Sequence, residues 1–162
     1  MLKKLIIING TIGVGKTTIC KRLLTELDHS VWLDGDWCWM MNPWIFSEEN
    51  KKMVIENIVF ILKNYLKNPT CQYVIFDWVI HEKDILDLIL NQFTGLKYEL
   101  IWFSLICSDN TLEQRMKNRG DSADIIQNSI LRLEKYKNMD SIKIDTNHDI
   151  ETNIQAIKQY LI

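Results

Sequence analysis

Gly10-Thr11-Ile12-Gly13-Val14-Gly15-Lys16-Thr17, standing directly after the apolar run Leu-Ile-Ile-Ile at residues 5–8, decides how this chain is read. A continuous apolar run rich in isoleucine and closed by Asn9-Gly10 has the pattern of a strand buried on both faces of a parallel sheet. Beyond the glycines, Ile19, Cys20, Leu23, Leu24 and Leu27 recur at helical spacing, which predicts a helix over residues 16–27. Strand, glycine-rich turn and helix in that order are the context in which Gly-x-x-x-x-Gly-Lys-Thr forms a phosphate-binding loop. Glycines let successive backbone N–H groups converge on phosphate oxygens, and the positive end of the helix faces the same point.

The same alternation runs outward through the chain. Residues 31–33, ending at Asp34, read as a second strand. Ser47 is placed to cap a long helix with Val54, Ile58, Ile61, Leu62 and Tyr65 on its inner face, and Pro69 follows its end. A third strand covers residues 73–76 and ends on Asp77, and residues 85–93 carry another helical stripe before Gly95. Residues 100–106 make a fourth strand. Ser108 or Asp109 can cap a helix running through Arg115, a polar break at 118–122 follows, and a further helix is predicted over 123–137. A fifth strand at 142–144 and a last helix at 150–161 complete the pattern. Strands alternating with helices imply a parallel sheet covered on both faces, with the site at the carboxyl ends of the strands. Gly10, Asp34, Asp77 and the Ser108 turn all fall there. No repeat, low-complexity tract or linker interrupts residues 1–162, so one domain is expected.

Composition narrows the function. The chain has 162 residues, 25% charged and 47% apolar, which is globular, and its net charge of -2 offers no basic footprint for a nucleic-acid backbone. No nucleic-acid partner is expected. Cys20, Cys38, Cys71 and Cys107 are far apart and form no Cys-x-x-Cys pair, so neither zinc nor redox chemistry is indicated and a reduced, cytoplasmic setting fits. The apolar run at 5–8 is too short for a signal sequence, and no segment approaches a membrane span. A monomer or dimer acting on a small molecule is expected.

The chemistry-bearing residues gather around the loop. Gly10 to Thr18 would cradle the phosphates of ATP, with Lys16 reaching the β- and γ-phosphates and the Thr17 hydroxyl ligating magnesium. In Asp34-Gly35-Asp36, a glycine turn lets both carboxylates face the phosphates. One carboxylate can hold magnesium through water. The other can accept a hydrogen bond from an acceptor hydroxyl and hold it in line with the γ-phosphorus, and the residues alone leave the two roles exchangeable. Asp77, ending an apolar strand, is a second candidate for the metal. Arg115 and Arg119, four residues apart, share a helix face if the helix persists past the predicted break, and from there they can clamp ATP and stabilise charge on the transferring group.

Taken together, the P-loop, Leu33-Asp34-Gly35-Asp36, residues 74–77, the Arg115 and Arg119 segment and Asp145-Thr146-Asn147 resemble the P-loop small-molecule kinases. Shikimate, gluconate and adenylylsulfate kinases and chloramphenicol phosphotransferase belong to that group. The resemblance implies a three-layer fold with a five-stranded parallel sheet in the order 2-3-1-4-5, ATP and Mg2+ as cofactors, and a short lid at about 116–124. It also implies Asp36 at the acceptor hydroxyl, Arg115 on the adenine face, Arg119 on the phosphates, and Thr146 with Asn147 at the adenine edge. The sequence departs from these kinases on the acceptor side. Adenylylsulfate kinases carry an arginine soon after the same turn, where this chain has Trp37-Cys38-Trp39. Shikimate and gluconate kinases use an arginine for the acceptor carboxylate, and here none lies between Arg22 and Arg115.

Trp37, Trp39 and Trp44 after the first turn, and Trp78 after Asp77, stand at strand ends near the acceptor side. Indoles stack on rings but cannot neutralise an anion, and the nearest cations are Lys51, Lys52 and His81. The expected acceptor is a neutral or cationic hydroxyl compound bearing a ring, such as a nucleoside, an aminoglycoside-like sugar or another antibiotic. Two alternatives stand beside this reading. One is a nucleoside or nucleic-acid 5′-end kinase, and the other is a nucleotide-gated ATPase or switch with no small-molecule acceptor. The Asn-Lys-x-Asp base-reading motif of GTPases is absent.

Overall fold

The computed structural model describes residues 2–161. Five strands, β1 (Lys3–Asn9), β2 (Ser30–Asp34), β3 (Tyr73–Trp78), β4 (Tyr98–Ile106) and β5 (Ile142–Asp145), form one parallel sheet ordered β2-β3-β1-β4-β5. Between and after them run α1 (Lys16–Glu26), α2 (Glu48–Lys67), α3 (Lys83–Leu90), α4 (Asp109–Arg119), α5 (Ala123–Asn138) and α6 (Ile150–Lys158).

The central strand explains the layering. Leu5, Ile6, Ile7 and Ile8 are all fully buried, and alternate residues go to opposite cores. Ile6 and Ile8 pack with Ile19 and Leu23 of α1, Leu112 of α4, Leu133 of α5 and Ile154 of α6. Leu5 and Ile7 pack with Val54, Ile58 and Leu62 of α2 and Leu86 and Ile89 of α3. Each such side chain contributes roughly 1.5–3 kcal/mol relative to exposure, so β1 is the spine on which both helix layers rest. Side-chain caps start the helices. Ser47, Ser108, Ser122 and Asp149 each accept from a backbone N–H three residues on, at the starts of α2, α4, α5 and α6. The cysteines at 20, 38, 71 and 107 are free thiols.

Several expected boundaries move. The predicted break at 118–122 is narrower, because α4 continues through Arg119 and closes only when Gly120 turns left-handed (φ 87°), its N–H bonding Lys117 O. Arg115 and Arg119 therefore sit on one unbroken helix. The expected lid start at Met116 also shifts. Met116 is fully buried in the α1 side of the core, so only the segment beyond it is exposed. A 3-10 turn over Gly35–Trp39, which periodicity did not predict, follows β2, and another over Asn91–Phe93 follows α3. The last helix stops at Lys158, three residues before the expected end.

Candidate active site

The loop of residues 10–15 joins β1 to α1 at the carboxyl edge of the sheet. Gly15 takes φ 110° to start α1, and the first turn of that helix holds no acidic side chain to offset its positive end. Lys16 folds back over the loop, its Nζ donating to Gly10 O (3.0 Å) and Thr11 O (3.1 Å). Burial lowers its pKa below that of a free lysine, while Asp77, Asp36 and Asp34 pull in the opposite direction. Thr11 is buried and donates from Oγ1 to Ser129 O of α5 at 2.9 Å. Beneath the loop, Asn9 accepts at Oδ1 from Gly10 N (3.0 Å) and Ile80 N (2.9 Å), and its Nδ2 donates to Ile80 O (2.8 Å). This one buried amide locks the loop to the segment leaving β3.

Strand register brings the carboxylates together. Asp34 of β2 pairs with Asp77 of β3, which pairs with Ile8 of β1, so all three side chains point to the face that carries α1. Asp77 is 1% exposed. Its Oδ1 accepts from Trp32 Nε1 at 2.5 Å, and its Oδ2 is buried without a partner. Burial, reinforced by the charge of Asp34, pushes Asp77 up to about 7, against the opposing pull of the Trp32 hydrogen bond and Lys16. Burial also raises Asp34, whose Oδ1 accepts from Asp36 N at 2.9 Å. Asp36 stands on the 3-10 turn, exposed, with Oδ1 accepting from Trp78 Nε1 at 3.1 Å. Gly35 has an ordinary backbone conformation, so its role is not the sharp turn expected of it. It lies against the indole of Trp78, where a Cβ would meet Cγ at 2.5 Å.

A cleft of about 300 Å³ runs between these groups. Of the residues singled out from sequence, Ile12, Gly13, Gly15, Lys16, Thr17, Thr18, Asp34, Asp36, Asp77, Arg115 and Arg119 line it, and Val79 joins them. Gly10, Thr11 and Val14 lie behind the lining as its frame. Arg115 reaches across the loop crown, Nη1 donating to Thr146 Oγ1 (3.1 Å) and Val14 O (3.4 Å) and Nη2 to Thr146 O (2.5 Å). Thr146 is itself buried and donates to Val14 O at 3.0 Å, so it ties the loop after β5 to the P-loop. Asn147 accepts from Ser108 N (3.1 Å) and holds the start of α4. Arg119 pairs with Asp121 at 2.7 Å on the exposed edge of the break.

None of Trp37, Trp39, Trp44 and Trp78 lines this cleft. Trp37 packs on Trp32, ring centres 4.9 Å apart. Trp39, Trp44 and Phe46 form a cluster with centres 5.5–5.6 Å apart, in which Trp44 and Phe46 are each 62% exposed. Sequence reasoning missed Asn9, Trp32, Phe46 and Val79. Asn9 and Val79 border motifs that had been read, and adjacency was the signal available for them. The bond from Trp32 to Asp77 spans strands, and no local pattern announces it.

The candidate cations are engaged. Lys51 pairs with Glu48 (2.6 Å) while its Nζ lies 4.3 Å from the Phe46 ring centre, Lys52 stands 3.9 Å from Glu56, and His81 Nε2 stands 3.9 Å from Glu82. Among the described residues, no helix is long and apolar enough to cross a membrane.

Comparison with known proteins places these features in a wider set. The family described as AAA domain matches residues 6–150. A guanylate kinase of Prochlorococcus marinus subsp. pastoris is 28% identical over 180 aligned positions, covering 96% of this chain and 95% of the relative. Among solved structures, a gluconokinase from Sinorhizobium meliloti superposes with a TM-score of 0.70 at 15% identity, over 95% of this chain and 89% of that one. The tunicamycin resistance protein of Deinococcus radiodurans gives a TM-score of 0.70 at 20% identity, over 98% and 95%. At these identities the structural likenesses are of fold.

Proposed function

This chain belongs to the AAA domain family, and from that premise we propose that it is an ATP-dependent kinase transferring the γ-phosphoryl group to a hydroxyl of a small, ring-bearing, neutral or cationic molecule. One observation carries the reading. Asp36 opens into the same cleft as Lys16 and Thr17, with one of its oxygens held by Trp78, so a hydroxyl donor at the other oxygen would face the phosphates.

Lys16 now donates to loop carbonyls that an incoming phosphate would displace, so it is already at the place where β- and γ-oxygens would lie. Hydroxyl and carboxylate oxygens suit magnesium, and the residues present fit it: Thr17 as ligand, with Asp34 and the unpartnered Oδ2 of Asp77 on the same face to hold its waters. When bound with ATP, magnesium supplies charge neutralisation across the β- and γ-phosphates. Asp36 orients the acceptor hydroxyl in line with the γ-phosphorus and takes its proton late, which a weak base does adequately when the transition state is loose. Arg119, released from Asp121, would meet the charge on the transferring group. Arg115 would lie under the adenine, with the loop of Thr146 and Asn147 at its edge. Residues beyond Met116 would act as the lid over the one domain.

The aromatic cluster of Trp39, Trp44 and Phe46, with Trp37, supplies stacking surface for the acceptor ring. A phosphate-bearing acceptor, such as the guanylate kinase relative's name implies for that protein, needs cations. On the acceptor side Lys51 and Lys52 are paired with Glu48 and Glu56, His81 lies beside Glu82, and no arginine lies between Arg22 and Arg115. A nucleoside meets the same requirements as a sugar or antibiotic. Four free thiols fit a cytoplasmic setting.

Asp36→Asn tests the assignment. It is expected to keep Mg-ATP affinity and to lower turnover about 100-fold, the scale of a positioned acid or base, whereas Asp34→Asn weakens the response to magnesium. Full turnover in Asp36→Asn would remove the acceptor role.

A further inference from the structure

Two indoles and two carboxylates cross between neighbouring strands. Trp32 of β2 donates to Asp77 of β3, and Trp78 of β3 donates to Asp36 just beyond β2. In the first pair Asp77 is buried and Trp32 half-buried; in the second Asp36 lines the cleft and Trp78 stands outside its lining. We propose that Trp78 is a positioning residue: its indole N–H fixes the Asp36 carboxylate for the acceptor hydroxyl, and its ring serves as the rail of that bond and not as a stacking surface for the acceptor.

Three observations carry this. Asp36 is exposed on a short 3-10 turn, where a two-torsion side chain otherwise rotates freely. Its backbone N–H is held by Asp34 Oδ1 (2.9 Å), so with the main chain fixed the Trp78 bond settles where the carboxylate points. The indole itself has little room to move. Phe76 packs 6.5 Å away, centre to centre, and Trp78 joins the α2-side core. On its other side the α-carbon of Gly35 sits so close that a methyl group would meet three ring atoms at 2.5–2.8 Å. A ring wedged between glycine and phenylalanine can present an N–H at a constant place, whereas a ring meant to stack on a ligand would have an open face. The carboxylate stays acceptor-only, and its remaining oxygen is turned over to the hydroxyl.

The catalytic part of this rests on the reading of Asp36 as the group that orients the acceptor, while the hydrogen bond does not, and the experiment separates them. Two measurements are made on the full chain. In the first, the tryptophan indole N–H resonances are recorded by 15N-correlated NMR for wild type, Trp78→Phe and Asp36→Ala. Trp78→Phe identifies the resonance, which is expected to move upfield and exchange faster in Asp36→Ala while that of Trp32 stays in place. A Trp78 resonance indifferent to Asp36 overturns the proposal. In the second, turnover of Mg-ATP is followed with water and with a panel of nucleosides, sugars and antibiotics as acceptors. Trp78→Phe is expected to lower kcat tenfold or more with KM for ATP within twofold of wild type and the same rise in melting temperature on adding Mg-ATP. Unchanged kcat, or parallel loss of kcat, ATP affinity and that thermal response, overturns the positioning role. Should wild type turn over no ATP at all, the kinase reading fails, and the NMR result alone decides whether the carboxylate is braced.

Discussion

Replacing Asp77 by asparagine should remove a pH dependence from folding that the structure builds into one residue. A carboxyl that titrates near 3.8 when free and near 7 when folded bears, at about 1.4 kcal/mol per tenfold shift, on the order of 4 kcal/mol of destabilisation once both states are ionised. Below pH 4 the group is protonated in both states and this cost is absent. Between 4 and 7 the unfolded chain releases the proton while the folded chain keeps it, so stability falls as pH rises, and above about 7 the loss is complete. Burial is the main cause, and asparagine removes the charge while keeping an oxygen for Trp32. Urea denaturation in EDTA, read by tryptophan fluorescence from pH 4.5 to 8, isolates the effect as wild type minus Asp77→Asn. The difference should grow with pH, with the variant the more stable by 2 kcal/mol or more at pH 8. Parallel curves, or a variant that loses stability toward pH 8, would refute the reasoning.

Lys16→Ala should leave the fold intact and remove most Mg-ATP affinity and turnover, which calorimetry checks directly; unchanged affinity would exclude the loop as the nucleotide site. Arg119→Ala should lower kcat far more than ATP affinity if, as proposed, Arg119 leaves Asp121 to meet the transferring group only on closure. Equal losses of kcat and affinity would make it a ground-state ligand. Gly35→Ala inserts a methyl group 2.5 Å from Trp78 Cγ and should cost about 1–3 kcal/mol of stability, as overpacking does, and lower turnover with ATP binding intact. A thermal midpoint equal to wild type would show that the ring has room.

The sheet and its loop were legible because their signals are local. Isoleucines at 6–8 followed by glycines and helical spacing describe β1, the P-loop and α1 within one short window, and Asp34 and Asp77 mark strand ends that register then sets side by side. What stayed hidden depends on contacts between distant segments. Gly35 looks like a turn glycine until Trp78, on the next strand, is seen against it. Trp78 looks like a surface aromatic until its N–H is found on Asp36, and Asn9 like a strand terminator until its amide is found on Ile80. Arg119 falls in the expected break because the polar residues from 118 onward resemble a loop, whereas Gly120 alone ends the helix. The tryptophans expected beside the acceptor stand outside the lining of the cleft, because Trp39 and Trp44 pack with Phe46 and Trp37 packs on Trp32, contacts that no local pattern announces.

The most direct test of phosphoryl transfer is a mass measurement. The purified chain is incubated with Mg-ATP and a panel of nucleosides, neutral sugars, aminoglycosides, other antibiotics and small acidic metabolites, and each compound is examined for the gain of one phosphoryl group. The account predicts that gain on a neutral or cationic ring-bearing alcohol, dependent on Lys16 and Asp36. Phosphorylation confined to acidic metabolites or nucleoside monophosphates, or ATP consumed with no acceptor gaining mass, would contradict it.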